Sequence, residues 1–184
     1  MGVPYSVLMP IFASRILRGD AHTLGFLMAA SGVWALTGAV TLAMRKSVVG
    51  LGRRLVLSAA LFGVSLVGFA LSPWLWLSLL LLPLTGFGMM QQMACSNTIL
   101  QTIVHDEKRG LVMAYYSMAF QGMVPFGSLL AGTLAARIGA PATLIWGGVF
   151  TIVGAAWFAR RLPELRGLVR LIYEKLGILP EVGA

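Results

Sequence analysis

The residues able to do chemistry are concentrated in one stretch. Between Leu84 and Thr102 stand Thr85, Gln91, Gln92, Ser96, Asn97, Thr98, Gln101 and Thr102. On an ideal helix Gln91, Cys95, Thr98, Gln101 and Thr102 fall within about 120° of one another, with Ser96 and Asn97 outside that sector. A second set, Ser117, Gln121, Pro125, Ser128 and Gly132, shares one face of the next apolar segment. Amides and hydroxyls in such surroundings do one of two things. They line a wet path for a hydrogen-bonding solute, or they join helices to one another at under about 2 kcal/mol per contact. Gln91, Thr98, Gln101, Ser117 and Gln121 are the substrate-path candidates. Met89, Met90, Met93, Met113, Met118 and Met123 crowd the same two segments. They are either filler or an adaptable apolar lining.

Other chemistries find little support. All six acidic residues (Asp20, Asp106, Glu107, Glu164, Glu174 and Glu181) lie in connecting segments or the tail, and no ionisable residue falls well inside an apolar segment. A proton relay usually needs such groups. No nucleophile–base pair and no metal-ligand spacing is present, so no enzyme, no metal and no cofactor are expected. His105, beside Asp106 and Glu107, reads as a loop-edge residue.

The elements that hold these residues must be membrane helices. Of 184 residues, 58% are hydrophobic and 11% charged; the mean hydropathy is +0.87. Soluble domains carry roughly 25% charged residues. A soluble enzyme, a nucleic-acid-binding domain and a disordered chain are all excluded on this ground, despite the net charge of +8. About 20 apolar residues span a bilayer. The sequence therefore predicts an all-α integral membrane fold with six helices, near residues 3–17, 24–44, 55–71, 74–104, 111–136 and 141–159. Residues 1–161 form this domain. Residues 162–184 form a cytoplasmic tail, in which Leu165, Leu168, Val169, Ile172 and Leu176 make a narrow apolar stripe, the mark of a short amphipathic helix on the membrane surface. Pro10, Pro83 and Pro125 interrupt spans and are helix-kink candidates.

Charge fixes the expected topology. With alternate connections placed on one side, Arg45, Lys46, Arg53, Arg54, Lys108, Arg109, Arg160, Arg161, Arg166, Arg170 and Lys175 stand against Arg15, Arg18 and Arg137, or 11 basic residues against 3. The positive-inside rule puts both termini in the cytoplasm. Asp106 shares the Lys108–Arg109 connection. Trp74, Trp76 and Trp157 fall at expected interfaces. Small residues at four-residue spacing, as in Thr143, Gly147, Thr151, Ala155 and Ala159, suit close helix packing. Spans three and six have almost no polar residues and can face lipid.

Thr41-Leu42-Ala43-Met44-Arg45 and Thr133-Leu134-Ala135-Ala136-Arg137 are 92 residues apart, and each closes the second helix of a three-helix set. Odd-numbered sets must run in opposite directions, which predicts two inverted three-helix repeats. On these features, and on Ser96-Asn97-Thr98, Asp106-Glu107-Lys108-Arg109-Gly110, Tyr116-Ser117-Met118-Ala119-Phe120 and Ile138-Gly139-Ala140-Pro141, the chain resembles the C-terminal half of a major facilitator superfamily transporter. It is most similar to the branch containing the enterobactin exporter and related bacterial efflux permeases. Gly52-Arg53-Arg54 is like the superfamily's cytoplasmic gate motif but lacks its Asp, so these arginines read as topological anchors. The resemblance implies half of a twelve-helix fold in a bacterial cytoplasmic membrane, with the upstream six helices missing; Met1-Gly2-Val3-Pro4, without a basic n-region or a clear cleavage site, is not expected to be a signal peptide. It also implies export of a siderophore-like or hydrophobic small molecule by alternating access. The expected partners are the bilayer, a small-molecule substrate, and either a six-helix N-terminal half or a second copy of the chain; no nucleic acid is expected. The alternative is a non-transporting six-helix membrane protein, a remnant or scaffold.

Overall fold

The computed structural model of the chain describes residues 4–16, 20–45, 48 and 50–175. Among them there is no strand. Helix α1 is Pro4–Ile11 and runs into a π-helical turn, Phe12–Ile16. Then come α2, Ala21–Ala43; α3, Leu51–Leu71; α4, Leu75–Ile103; α5, Asp106–Ile138; and α6, Ala140–Lys175.

Each boundary has a local cause. Asp20 caps α2 by accepting a hydrogen bond from the Thr23 amide at 3.1 Å. Ser72 and Pro73 end α3, and the Ser72 hydroxyl donates to the Trp74 carbonyl at 3.0 Å. Asp106 and Glu107 occupy the first turn of α5 and Arg137 its last, each the favourable sign for the helix dipole. Gly139 alone joins α5 to α6, at φ 87° and ψ 156°, a conformation essentially reserved for glycine.

Among the described residues five helices are long and apolar enough to cross a membrane, α2 to α6. The first expected span is described only in part. Its described part, residues 4–16, gives about 20 Å of helix at 1.5 Å per residue, short of the roughly 30 Å of hydrocarbon. Pro10 lies inside α1, Pro83 inside α4 and Pro125 inside α5, so none of the three ends its helix. No helix boundary falls at 161–162, where the tail was expected to begin: α6 continues through Pro163 to Lys175. Two contacts support that continuation. Leu162 is buried against α3, and Arg161 pairs with Glu164 one turn on at 3.0 Å. Of the tail's apolar stripe, Leu165 is 37% exposed, and the other side chains lie outside the described residues.

The core joins α1, α3 and the start of α6. Leu8, Met9, Phe12 and Ala13 are buried with Phe62, Leu66, Phe69, Ala70, Ala140 and Leu144, and the rings of Phe12 and Phe69 lie 4.7 Å apart. Helices α3 and α6 cross at Gly63 and Gly148. A Cβ on Gly63 would stand 2.9 Å from the Gly148 carbonyl, and one on Gly148 would stand 2.8 Å from the Gly63 carbonyl. The contact is reciprocal one turn further on: Gly63 meets Ile152, and Gly148 meets Val67. Outward, α3 shows Leu57, Val64 and Leu71, and α6 shows Trp146, Val149, Phe150, Val153 and Trp157. Trp74 and Trp76 are 71% and 84% exposed, as interfacial anchors would be.

Candidate functional site

Helix α4 positions most of the polar side chains, and its neighbours divide them among several faces. Toward α2, Gln91 is 1% exposed. Its Nε2 donates to the Gly38 carbonyl at 3.0 Å and to Thr41 Oγ1 at 2.7 Å, while its Oε1 accepts from the buried Cys95 thiol at 3.9 Å. The whole carboxamide is thereby engaged. Between the two alternatives for this residue, the geometry favours the interhelical bond. Close approach makes it possible: a Cβ on Gly86 would collide with the Ser31 carbonyl, so α2 and α4 meet backbone to backbone.

At the C-terminal end of α4 a polar cavity of about 460 Å³ opens. Thr98, Gln101, Thr102, Val104, His105, Asp106 and Arg109 line it. Two sequence candidates, Thr98 and Gln101, therefore meet there. Thr98 and Thr102 donate to carbonyls of their own helix, at 2.9 and 2.8 Å, leaving hydroxyl lone pairs for the cavity. Gln101 Nε2 donates to Asn97 Oδ1 at 3.1 Å. Asp106 and Arg109 form an ion pair with side chains 85% and 47% exposed. Such a screened pair is worth about 0–1 kcal/mol, so a solute can take the guanidinium at little cost.

Further along α4, Met89, Met90 and Met93 meet Met9 of α1 and Met28 of α2 around an apolar cavity of about 320 Å³, with Ser31, Gly32, Ala35 and Gly86. Met90, Met93, Asn97 and Gln101 fall within about 80° on α4, so the thioether lining and the amide pair share a face. Asn97 was outside the sector expected to carry the site. Met9, Met28, His105 and Arg109 join the site from other helices and from the α4–α5 connection, which the polarity of α4 does not reveal. The composition of α4 identifies the helix; only the position of α2 tells which polar stripe is left over.

Ser117 and Gln121 lie on α5, both exposed, and neither lines these cavities. Of the described residues of α5 only Ala131 is buried.

The topology residues gather at one end. Arg45 lines a cavity of about 370 Å³ with Leu51, Ala94 and Thr98. Thr98 also faces the cavity of Arg109. Gly52 abuts Leu162, so the start of α3, which carries Arg53 and Arg54, packs against α6 near Arg161. Lys108 is in the first turn of α5 at the same end. Lys46 lies outside the described residues. Among the described residues no group of three His, Cys, Asp or Glu side chains is placed to hold a metal ion.

The family of MFS type described as transmembrane secretion effector matches residues 3–170. A staphyloferrin A transporter of Staphylococcus aureus (strain NCTC 8325 / PS 47) is 26% identical over 153 residues, which cover 82% of this chain and 38% of that protein. The chain thus spans about two-fifths of the length of the curated relative it matches. No solved structure matches the chain.

Proposed function

The chain belongs to the transmembrane secretion effector family of major facilitator transporters, and from that premise we propose that it forms one wall of an export pathway for siderophore-like or hydrophobic small molecules. One observation carries the proposal. Helix α5 is apolar and long enough to cross a membrane, yet Ser117 and Gln121 stand exposed on it, with no hydrogen-bond partner among the described residues. A carboxamide facing hydrocarbon costs several kcal/mol. This face therefore borders water, substrate or a second polar wall. A six-helix N-terminal half, or a second copy of the chain, supplies that wall, and rocking between the two exposes the cavity alternately to each side.

Within this scheme the chain works as the C-terminal half, in a bacterial cytoplasmic membrane, with the arginine-rich end and both termini in the cytoplasm. Substrate enters at Thr98, Gln101 and Arg109, where hydroxyls, an amide and a cation suit the oxygen-rich part of a siderophore. Its apolar part rests against the methionines. The name of the staphyloferrin A relative supports that substrate class. Gln91 serves the pathway by fixing α4 against α2. The reciprocal Gly63–Gly148 contact supports inverted repeats, because each helix meets the other through equivalent residues, as about a two-fold axis. Their separation of 85 residues also fits the 92 of the Thr41 and Thr133 motifs. The link between α5 and α6, one residue, is six shorter than the link at 44–50, which accounts for six of the seven residues of difference.

Cysteine labelling tests the wall. The native Cys95 is buried, so its background is low. Ser117→Cys, Gln121→Cys and, on the opposite side of α5, Phe126→Cys are treated with a membrane-impermeant maleimide in cells. Positions 117 and 121 are expected to react at least five times faster than 126. Equal rates at all three positions would place the polar face in lipid and end the proposal.

A further inference from the structure

A second cavity lies on the other side of α4, away from the polar mouth. Helices α3 and α6 touch at two levels. One is the Gly63–Gly148 crossing. The other is near the arginine-rich end, where a Cβ on Gly52 would lie 2.7 Å from Leu162 Cδ1. Gly52 and Gly63 are separated by about 16 Å of helix, and over that length α3 and α6 part. The opening is a window of about 330 Å³, walled by Leu55, Val56, Ala59 and Phe62 of α3 and by Phe150, Thr151, Gly154, Ala155 and Phe158 of α6. Its back wall is α4, which presents Gln92 and Ser96 one turn apart. Nine residues separate Gln92 from Gln101, placing them about 180° apart on the helix. The window and the mouth are therefore separate.

Three features define what the window takes. First, Gln92 and Ser96 make no hydrogen bond to a described residue, whereas Gln91, Thr98, Gln101 and Thr102 on the same helix all do. Gln92 lies eleven residues before the end of α4, about 16 Å in from that end, at the depth of hydrocarbon. A bare acyl chain in the window would leave both polar groups unpaired, at a cost of several kcal/mol. The occupant therefore carries an oxygen that accepts a hydrogen bond. Second, among the described residues no acidic or basic side chain lines the window, which suits a neutral occupant. Third, Phe158 and the outer side of Phe150, whose ring centroid lies 6.0 Å from that of Trp146, provide aromatic surface at the lipid side. The closed ends at Gly52 and Gly63 leave the side facing lipid as the way in; Phe150 at that side is 58% exposed.

We propose that this window binds a neutral, lipid-soluble aromatic carbonyl compound, taken sideways from the bilayer, with its carbonyl oxygen accepting from Gln92 Nε2 and Ser96 Oγ. The site is independent of the export pathway above.

Benzophenone has this chemistry and is itself a photoreactive label. The full chain is placed in lipid nanodiscs with benzophenone and irradiated, and adducts are mapped by peptide mass spectrometry. Adducts are expected on residues 55–62 and 150–158. Gln92→Leu keeps the volume and is expected to reduce their yield at least fivefold. Gly154→Leu fills the window, since nothing lies within 4 Å of a Cβ there, and is expected to abolish them. Circular dichroism and size-exclusion chromatography check that each variant is folded; should one fail, the other decides. Unchanged yield in either folded variant, or adducts spread along the exposed face of α5, would overturn the assignment.

Discussion

Replacing Gly148 with alanine sets a methyl group against the backbone of α3. The new Cβ would lie 2.8 Å from the Gly63 carbonyl oxygen, 2.6 Å from Val67 Cγ2 and 3.3 Å from the Val67 nitrogen. The Val67 side chain can turn; the carbonyl cannot. Ordinary contact begins near 3.4 Å, so the two helices must part by about 0.6 Å at the crossing. A gap of that size forfeits roughly a quarter of each dispersion contact along the seam. Overpacking of this kind costs about 1–3 kcal/mol. Alanine recovers roughly 0.5–1 kcal/mol of helix propensity, leaving a net loss of about 0–2.5 kcal/mol. Gly154→Ala is the control. It lies on the same helix, and nothing is within 4 Å of its Cβ, so it receives the propensity gain without the clash. The assay is unfolding in mixed micelles titrated with dodecyl sulfate, followed by far-UV circular dichroism. Gly63→Ala should cost as much as Gly148→Ala, because the contacts are reciprocal. The double variant should cost less than the two together by about 1 kcal/mol, since one separation of the helices relieves both clashes. Full additivity, or a Gly148→Ala protein as stable as Gly154→Ala, would refute a backbone-to-backbone crossing.

Gln91→Leu removes the bonds to Gly38 and Thr41 and is expected to cost about 0.6–1.7 kcal/mol in the same assay, the range for hydrogen bonds between membrane helices. Maleimide labelling at positions 117 and 121 should be unaffected by it; altered labelling would mean that Gln91 belongs to the pathway. Gly139→Ala forces a Cβ into a conformation that costs about 1–3 kcal/mol, and unchanged stability would mean that α5 and α6 join differently. The Thr23 amide, donating to the Asp20 carboxylate, holds its pKa below the ordinary 3.8. The cap's contribution is therefore complete above 3.8 and fades as pH falls through the lower, folded value. The difference in Tm between wild type and Asp20→Ala should be flat above about pH 5 and shrink below the unfolded pKa; a difference that grows on acidification would contradict it.

The physical reason that some of this architecture is readable in the sequence, and some is not, lies in which interactions are local. Hydropathy and helix length are local, and α2 to α6 fall where apolar runs predict them. Charge sorting is nearly local, and Arg45, Arg53, Arg54 and Arg109 do meet at one end. The extent of α6 depended on a contact from another helix: Pro163 reads as a stop until Leu162 is seated on α3 beside Gly52.

The site shows the same division at finer scale. Polarity singles out α4 as the helix that needs company, and α4 does hold Gln91, Thr98 and Gln101. It does not say which face receives which neighbour. Gln91 and Gln92 are adjacent in sequence and both are carboxamides. A turn of about 100° sends the first to the Gly38 carbonyl and the second into a window between α3 and α6. What separates them is a glycine fifty-three residues away, small enough to bring a carbonyl within 3.0 Å of one amide and not the other. Backbone approach of this kind is set by Gly38 of α2 and by Gly86 and Gly88 of α4, which admit Ser31 of α2 and Ser58 of α3, and the hydrophobic periodicity of α4 does not say which neighbour each glycine meets. In a membrane helix with polar residues on several sides, the functional face is therefore the one that remains after the small residues of neighbouring helices have claimed theirs.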